Sequence, residues 1–280
     1  MDAMTLKQKL QQLRAVDFAA DQAEQPYDLA LHMMKHIGNP DPVLRDELIY
    51  VTLATWIGQN VFSDEQLKTL LHLALDDDHL FYRIGEQGTD SVFTRTFSVL
   101  ILPPILSLAR QRSFLQREDM AWVQQQLTAY LRSEKDVRGY VEDKGWAHAP
   151  AHAADAVEDL AHSTYLESAE LLELLRALSI KVMESSRAYI YEEDQRMAQA
   201  AVTILSRNLI GQTELAAWIE SLQTERNGEA EEGKTLQEMS QMSLNIRMFM
   251  QSLYFAIRDK EAEPFPAVRS LLLKALDVRE

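Results

Sequence analysis

Cysteine is absent from the 280-residue chain, which excludes disulfides, thiol nucleophiles and thiolate metal sites. Such an absence fits a reducing compartment, and residues 1–13 are polar, without the apolar run of a signal peptide. The longest apolar stretch, residues 97–108, is shorter than a membrane span and contains Pro103-Pro104. We therefore expect a soluble, cytoplasmic protein that has no membrane partner.

Positive charge is also scarce: 28 lysines and arginines face 43 aspartates and glutamates, for a formal net charge of -15. A dedicated nucleic-acid binder needs a cationic face for phosphates, so no nucleic-acid partner is expected. The sequence has no Walker loop, no G-x-G-x-x-G after a strand, no G-x-S-x-G elbow and no kinase motifs. Nucleotide and acyl-transfer chemistry therefore have no support, and no cofactor is expected.

Only 9 glycines and 8 prolines interrupt the chain, and the sequence between them has helical periodicity nearly everywhere. Runs rich in Leu, Ala, Gln and Glu favour helix. Capping-box spacing marks helix starts at Ser63, Thr164 and Thr235, and Asp41-Pro42 is typical of an N-cap before a first-turn proline. The pattern predicts helices over residues 4–14, 25–37, 42–60, 64–76, 89–102, 104–112, 116–132, 148–161, 165–183, 191–209, 213–224, 236–258 and 266–277.

Short connections between consecutive helices favour antiparallel hairpins. Two all-α arrangements fit, a compact bundle and an α-solenoid of stacked hairpins similar to HEAT repeats. We predict the solenoid, whose curvature presents a concave face. Residues 1–280 are predicted to form a single domain with an exposed acidic loop at about residues 224–234. The apolar terminal segment SLLLKALDV is compatible with a homodimer, because solenoid ends need capping.

Segment 134–162 carries an unusual polar pattern in an Ala-rich helix. At helical spacing, five of its side chains return to one stripe: His148, His152, Asp155, Asp159 and His162. An Ala-rich helix lets its neighbours approach closely, so a polar stripe on it must face a groove, a cavity or buried partners. If Ala149, the residue before Pro150, is the cap, His148 lies just outside the helix.

Three interpretations of this stripe are open at the level of sequence. The side chains form a structural network with backbone groups and arginines, or they bind a small polar or anionic ligand. In the third interpretation His148, His152 and Asp155 bind a divalent metal. The third lacks the general base of the H-E-x-x-H pattern, since Ala149 follows His148.

Other charged and aromatic residues stand in apolar surroundings. Arg95 falls inside VFTRTFSVLILPP and needs an anionic or carbonyl partner, for which Asp136, Glu142 and Asp155 are candidates. A structural ion pair is favoured there over a ligand clamp. Trp146 either stacks on a ligand or acts as a hydrophobic staple at the helix entrance, and the staple is favoured. Two more charged pairs are candidates for the same arrangement, but ordinary solvated pairs are favoured there: Arg45-Asp46 and Glu193 with Arg196.

Four stretches carry a family resemblance: LRDELIY (44–50), HLFYRIGEQGTDSVFTRTFSVLIL (79–102), KDVRGYVEDKGWAHAPAHAAD (135–155) and EEDQRMAQAAVTIL (192–205). Through them the chain resembles a bacterial family known as domain of unknown function 2785. The resemblance implies an all-helical ARM/HEAT-like array without an established activity. It also implies the motif residues Arg95, Ser98, Arg138, Gly139, Lys144, Gly145, Trp146, His148, His152, Asp155 and Arg196. The family pattern has Ser at Thr96 and Gly at Ala153 or Ala154, and the Ala narrows any close backbone approach.

We expect a non-enzymatic binding or scaffold protein with a polar pocket on its concave face. The pocket is expected to take a small anionic ligand or an acidic peptide terminus through Arg95, Arg138 and Lys144. The predicted pocket residues are Arg95, Ser98, Asp136, Arg138, Lys144, Trp146, His148, His152 and Asp155.

Two alternatives belong to other functional classes. The first is a metal-dependent hydrolase in which His148, His152 and Asp155 are ligands. Its base would be Glu142 or Asp159. The second is a purely structural polar core that binds no ligand.

Overall fold

The computed structural model describes residues 1–227 and 234–277, and this part of the chain is almost entirely helical. A 3₁₀ turn lies at Ala20–Gln22 and a π-helical segment at Val43–Tyr50. The α-helices are α1 (Ala3–Arg14), α2 (Pro26–Met34), α3 (Val51–Gly58), α4 (Asp64–Ala74), α5 (Ser91–Val99), α6 (Leu102–Arg112), α7 (Arg117–Ser133), α8 (Ala149–Ala161), α9 (Ser168–Val182), α10 (Glu193–Ser206), α11 (Gln212–Asn227), α12 (Leu236–Ile257) and α13 (Phe265–Ala275). The predicted all-α class is confirmed. Of the predicted acidic loop, residues 228–233 lie outside the described residues.

Local hydrogen bonds explain where several helices begin. Ser63 and Thr235 form the predicted capping boxes at the starts of α4 and α12. The predicted box at Thr164 is wrong, because the chain turns there and α9 begins at Ser168. The capping box of α9 instead joins Glu167 and Glu170.

The predicted helix 42–60 is divided into two kinds of helix. The Asp41 carboxylate accepts the backbone N–H groups of Val43 at 3.0 Å and Leu44 at 3.3 Å, which confirms the predicted N-cap. The chain then runs as the π-helical segment Val43–Tyr50 before α3 begins. Periodicity alone missed this change, and π-helical turns are often found at functional sites.

A small β-hairpin interrupts the helices between α7 and α8. Strand β1 (Tyr140–Val141) pairs antiparallel with β2 (Gly145–Trp146), and Tyr140 lies opposite Trp146. Asp143 and Gly145 have φ angles of 61° and 77°, which close the turn. The sequence pattern left residues 133–147 outside the predicted helices and did not show the hairpin, because strands of two residues are too short to show alternation.

Backbone contacts divide the chain into two compact units. Unit 1 comprises Met1–Asp119 and Ser133–Ala156, and unit 2 comprises Met120–Arg132 and Val157–Glu280. Fully buried core residues of unit 1 include Leu48, Trp56, Phe93, Leu102 and Ala147. Those of unit 2 include Leu127, Leu174, Ile204, Leu222 and Leu253. All nine residues of the predicted pocket belong to unit 1.

The stretch Ser91–Arg112, which contains α5 and α6, is long and apolar enough to cross a membrane by length and composition. Within the fold, however, 78% of its most apolar 18-residue window is buried. This burial is typical of the core helix of a soluble protein.

Candidate functional site

Arg95 on α5 lies at the centre of a buried polar network. Its guanidinium donates two hydrogen bonds to Glu134, from Nε to Oε2 at 2.5 Å and from Nη2 to Oε1 at 2.9 Å. Nη1 donates to the Ser91 hydroxyl at 2.8 Å and to the Tyr82 carbonyl oxygen at 3.0 Å, and Nη2 donates to the Glu86 carbonyl oxygen at 3.2 Å. A buried guanidinium needs such partners because its charge is costly to remove from water. Arg95 therefore ties the loop before α5 to Glu134, the residue that follows α7.

The partner of Arg95 differs from the one that the sequence suggested. Sequence reasoning nominated Asp136, Glu142 and Asp155. The structure pairs Arg95 with Glu134, and both side chains are almost completely buried. Ser98 is also buried, and its hydroxyl donates to the Thr94 carbonyl oxygen at 2.6 Å. Neither Arg95 nor Ser98 therefore offers an accessible group to a ligand.

Asp136 and Arg138 form a second ion pair between α7 and β1. Arg138 donates from Nε to Oδ1 of Asp136 at 2.8 Å and from Nη2 to Oδ2 at 2.7 Å. The same carboxylate accepts the Gly88 N–H at 2.9 Å, and Arg138 Nη2 donates to the Thr89 carbonyl oxygen at 2.6 Å. The pair therefore fastens residues 136–138 to the loop before α5, with the charge of Arg138 already neutralised.

Lys144, in the hairpin turn, forms a third and more exposed ion pair. Its Nζ lies 2.7 Å and 2.9 Å from the two carboxylate oxygens of Asp90, and the two side chains are 40% and 42% exposed. Exposed pairs of this kind contribute about 0–1 kcal/mol. Of the three cations that the sequence assigned to an anionic ligand, Lys144 therefore needs the least free energy to leave its carboxylate partner and bind a ligand.

Arg45, in the π-helical segment, is a residue whose role the sequence analysis missed. Its interpretation as a solvated residue is wrong, because its side chain is fully buried. Its Cζ lies 4.1 Å from the ring centroid of Phe93 and 4.7 Å from that of Phe97. Nη1 donates to the Asn39 carbonyl oxygen at 2.8 Å and Nη2 to the Lys144 carbonyl oxygen at 2.5 Å. Arg45 thus joins the π-helical segment, α5 and the hairpin. The sequence feature that could have indicated this role is its position in LRDELIY, one of the stretches that carry the family resemblance.

Asp46 follows Arg45 and completes this junction. Its Oδ1 lies 2.7 Å from Arg45 Nε, and its side chain is 25% exposed. Burial raises the pKa of Asp46 from 3.8 to about 6. The charge of Arg45 and a hydrogen bond from the Trp146 N–H oppose this rise in pKa. Asp46 therefore holds strand β2 at Trp146 with a carboxyl group that titrates just below neutral pH.

Asp46 is expected to make the protein less stable as the pH rises from about 4 to about 6. Its folded pKa, about 6, exceeds its ordinary value of 3.8, so the folded state binds the proton more tightly. The stabilisation that this tighter proton binding gives the folded state is complete below pH 3.8, the ordinary pKa, and is lost as the pH rises through about 6, the pKa in the folded state. Urea unfolding of the wild type and of Asp46→Asn across this range measures the effect. A difference in the free energy of unfolding that does not change with pH would contradict it.

A row of ring contacts runs from the hairpin into the core of unit 1. The Trp146 ring stacks on the His148 ring, with centroids 4.8 Å apart and an interplanar angle of 22°. Tyr140 meets Trp146 edge-on at 5.2 Å, and His148 meets His152 edge-on at 5.7 Å. His152 in turn contacts Phe97 at 5.4 Å. Tyr140 is 50% and Trp146 38% exposed, whereas both imidazoles are 7% exposed. The row therefore has a buried end and an open end.

The backbone of His148 fixes the start of this row. His148 has a left-handed φ of 55°, and its N–H donates to the Arg138 carbonyl oxygen at 2.8 Å. Its own carbonyl accepts the His152 N–H at 3.0 Å, so His148 is the N-cap residue of α8. The sequence placed His148 outside the helix on the condition that Ala149 is the cap, and this assignment is wrong because α8 begins at Ala149 and His148 itself is the cap.

The other three residues of the predicted stripe are more exposed than His148 and His152. Asp155 and Asp159 are half-buried and His162 is exposed. Across residues 1–227 and 234–277, no group of three or more histidine, aspartate and glutamate side chains is arranged to hold a metal ion. The interpretation of His148, His152 and Asp155 as a metal site is therefore without geometric support, and so is the hydrolase built on it.

The predicted pocket does not coincide with four clefts of about 340 to 700 Å³ that open on the described residues. Their linings contain none of the nine predicted pocket residues. Seven of the nine, all but Ser98 and Asp155, instead belong to two buried or half-buried ion pairs, one more exposed ion pair and the row of rings.

A comparison with protein-family models identifies the family of the chain. The model of a family described as "Protein of unknown function (DUF2785)" matches residues 80–255, which is well over half of the chain. The chain belongs to this family. The matched part of the DUF2785 protein includes Arg95, the hairpin, His148, His152 and Arg196. Arg45 and Asp46 precede it. No curated protein and no solved structure matches the DUF2785 chain.

Proposed function

We propose that this DUF2785 protein is a non-enzymatic binding module whose contact surface is the β-hairpin. We call this surface the aromatic hairpin and define it as Tyr140, Glu142, Asp143, Lys144 and Trp146. The observation that carries the proposal is the Trp146 ring, which is held open to solvent by stacking on His148. Trp and Tyr dominate the energetics of binding surfaces, and a ring fixed in advance loses little entropy on binding.

The charges around the two rings favour a cationic partner. The sequence prediction of an anionic ligand depended on Arg95, Arg138 and Lys144. Their carboxylate partners are Glu134, Asp136 and Asp90. Glu142 and Asp143 are exposed, and neither makes an ion pair within residues 1–227 and 234–277.

The partner class follows from combining these acidic groups with the rings. A guanidinium or ammonium group binds both to carboxylates and to the face of an aromatic ring. We therefore take the partner to be a basic segment of another protein. The anionic ligand of the sequence analysis requires Lys144 to leave Asp90, and it is an outcome of the test described below.

Several finer predictions accompany this proposal without further support. They are the HEAT-like solenoid, the single domain, the cytoplasmic location, the homodimer and the absence of a nucleic-acid partner. Binding through the aromatic hairpin requires none of them.

A peptide titration tests the proposed function. Fluorescence anisotropy of a labelled tetra-arginine peptide is expected to show saturable binding to the wild type. Trp146→Ala is expected to weaken binding about tenfold, because it removes the central ring. Glu142→Gln and Asp143→Asn are each expected to weaken it about threefold, as for an exposed ion pair.

Two controls distinguish the aromatic hairpin from general attraction to an acidic protein. Phe255 is 62% exposed on α12, so Phe255→Ala removes an exposed ring elsewhere and is expected to leave the affinity unchanged. Trp146→Phe keeps a ring and is expected to restore part of the affinity. Equal affinities for the wild type and Trp146→Ala would refute the proposal, and so would preferential binding of a tetra-glutamate peptide.

A further inference from the structure

A cleft of about 700 Å³ lies at the C-terminal ends of α2 and α4, entirely within unit 1. Its volume is within the range of small-molecule sites. The apolar part of its wall consists of Leu31, Met34, Ile37 and Leu73. Polar side chains line the rest of the wall: Lys35, His36, Asn39, Asp76, Asp78, His79, Tyr82 and Thr94. The cleft is thus lined by both apolar and polar side chains, which suits an amphipathic ligand.

His79 is the most buried polar group of this wall. It is 8% exposed, and its Nδ1 lies 2.8 Å from Oδ1 of Asp76. The same carboxylate oxygen accepts the N–H of Asp78 at 2.9 Å, which fixes the carboxylate itself. A carboxylate on one ring nitrogen sets the orientation of an imidazole and leaves the other nitrogen to act as an acceptor. His79 Nε2 is therefore the ring nitrogen with which a ligand in the cleft can bond.

The electrostatics of the cleft favour a cation. The wall of the cleft includes residues at the C-terminal end of α2, which ends at Met34, and at that of α4, which ends at Ala74. Helix C-termini carry partial negative charge. Asp76 and Asp78 add two carboxylates, against the single cation of Lys35, whose side chain is exposed.

We propose that this cleft binds a small amphipathic amine. The ammonium group donates hydrogen bonds to His79 Nε2 and to the Asp78 carboxylate, and the hydrocarbon chain lies on Leu31, Met34 and Leu73. The site lies in residues 31–94 and is separate from the aromatic hairpin, so it does not depend on the proposed function. Neither the family match nor the sequence patterns assign a ligand to these residues.

Methyl NMR with three four-carbon probes tests this site. The probes are n-butylammonium, n-butanol and butyrate, and the reporter is the labelled Met34 methyl group, assigned with Met34→Leu. Butylammonium is expected to shift this resonance saturably. Butanol, which lacks the charge, is expected to bind at least about threefold more weakly, and butyrate is expected to cause no shift.

A pair of adjacent aspartates provides matched variants. Asp78→Asn is expected to weaken butylammonium binding about threefold, because it removes a carboxylate from the wall. Asp77 is exposed and does not line the cleft, so Asp77→Asn changes the net charge equally and is expected to leave the affinity unchanged. Both substitutions lie on the surface and leave the core intact. No saturable shift, equal binding of the three probes, or equal effects of the two variants would overturn the proposal.

Discussion

Replacing Arg95 with alanine is expected to lower the free energy of unfolding by about 3–5 kcal/mol. The substitution leaves the Glu134 carboxylate buried without its counter-ion, and it removes the donor from the carbonyl oxygens of Tyr82 and Glu86. Because whole domains are stable by about 5–15 kcal/mol, a loss of this size consumes much of the total. Urea unfolding followed by circular dichroism measures the change.

An exposed ion pair in the same unit is the control for Arg95. Arg14 Nη1 lies 2.6 Å from Glu47 Oε2, but the two side chains are 53% and 50% exposed. Arg14→Ala is therefore expected to cost about 0–1 kcal/mol. If Arg95→Ala does not fold, Arg95→Lys keeps the charge but lacks the guanidinium fork, and it is expected to be less stable than the wild type. Equal small losses for both arginines would contradict a structural role for Arg95.

Gly145→Ala is expected to cost about 2–4 kcal/mol, the combined effect of a left-handed backbone and overpacking. Gly145 has a φ of 77°, which disfavours any residue with a Cβ. A Cβ there would lie 2.9 Å from Pro42 Cβ, 3.1 Å from Arg45 Nη2 and 3.2 Å from Asp46 Oδ2. Either the hairpin or the buried guanidinium must therefore move. Thermal or urea unfolding measures the loss of stability.

Gly88 allows the two contributions to be separated. Its φ of 73° is almost the same as that of Gly145, but nothing lies within 4 Å of an added Cβ. Gly88→Ala is therefore expected to cost only the backbone term, about 1–2 kcal/mol. The difference between the two variants gives the contribution of packing around Arg45. Equal losses would show that the hairpin does not pack tightly on the π-helical segment.

The helices were predictable because the signals for them are local. The cap at Asp41 and the boxes at Ser63 and Thr235 connect residues two or three positions apart, so sequence spacing shows them directly. Thr164 shows the limit of this approach, since the same spacing occurs in a turn. The hairpin escaped prediction because its strands are only two residues long, and its contacts with Arg45 and Asp46 come from residues about 100 positions away in sequence.

The sequence predicted most residues of the candidate site but not which of them form ion pairs and hydrogen bonds with one another. The segment 134–155 supplied most of the residues that meet around α5 and the hairpin. Which carboxylate faces Arg95 depends on a pairing across 39 positions, and no spacing rule encodes it. The burial of Arg45 likewise follows from the packing of Phe93 and Phe97 around it. Charge type is visible in a sequence, but whether a charge is already neutralised becomes visible only in the fold.

The response of Trp146 itself to a charged peptide tests the central claim most directly. The chain has four tryptophans, so 5-fluorotryptophan labelling gives a simple fluorine spectrum in which Trp146→Phe identifies the Trp146 signal. Tetra-arginine is expected to shift this signal saturably and to leave the other three in place, while tetra-glutamate leaves all four unchanged. A Trp146 signal that ignores tetra-arginine, or that responds to tetra-glutamate instead, would contradict a binding surface for basic segments at the aromatic hairpin.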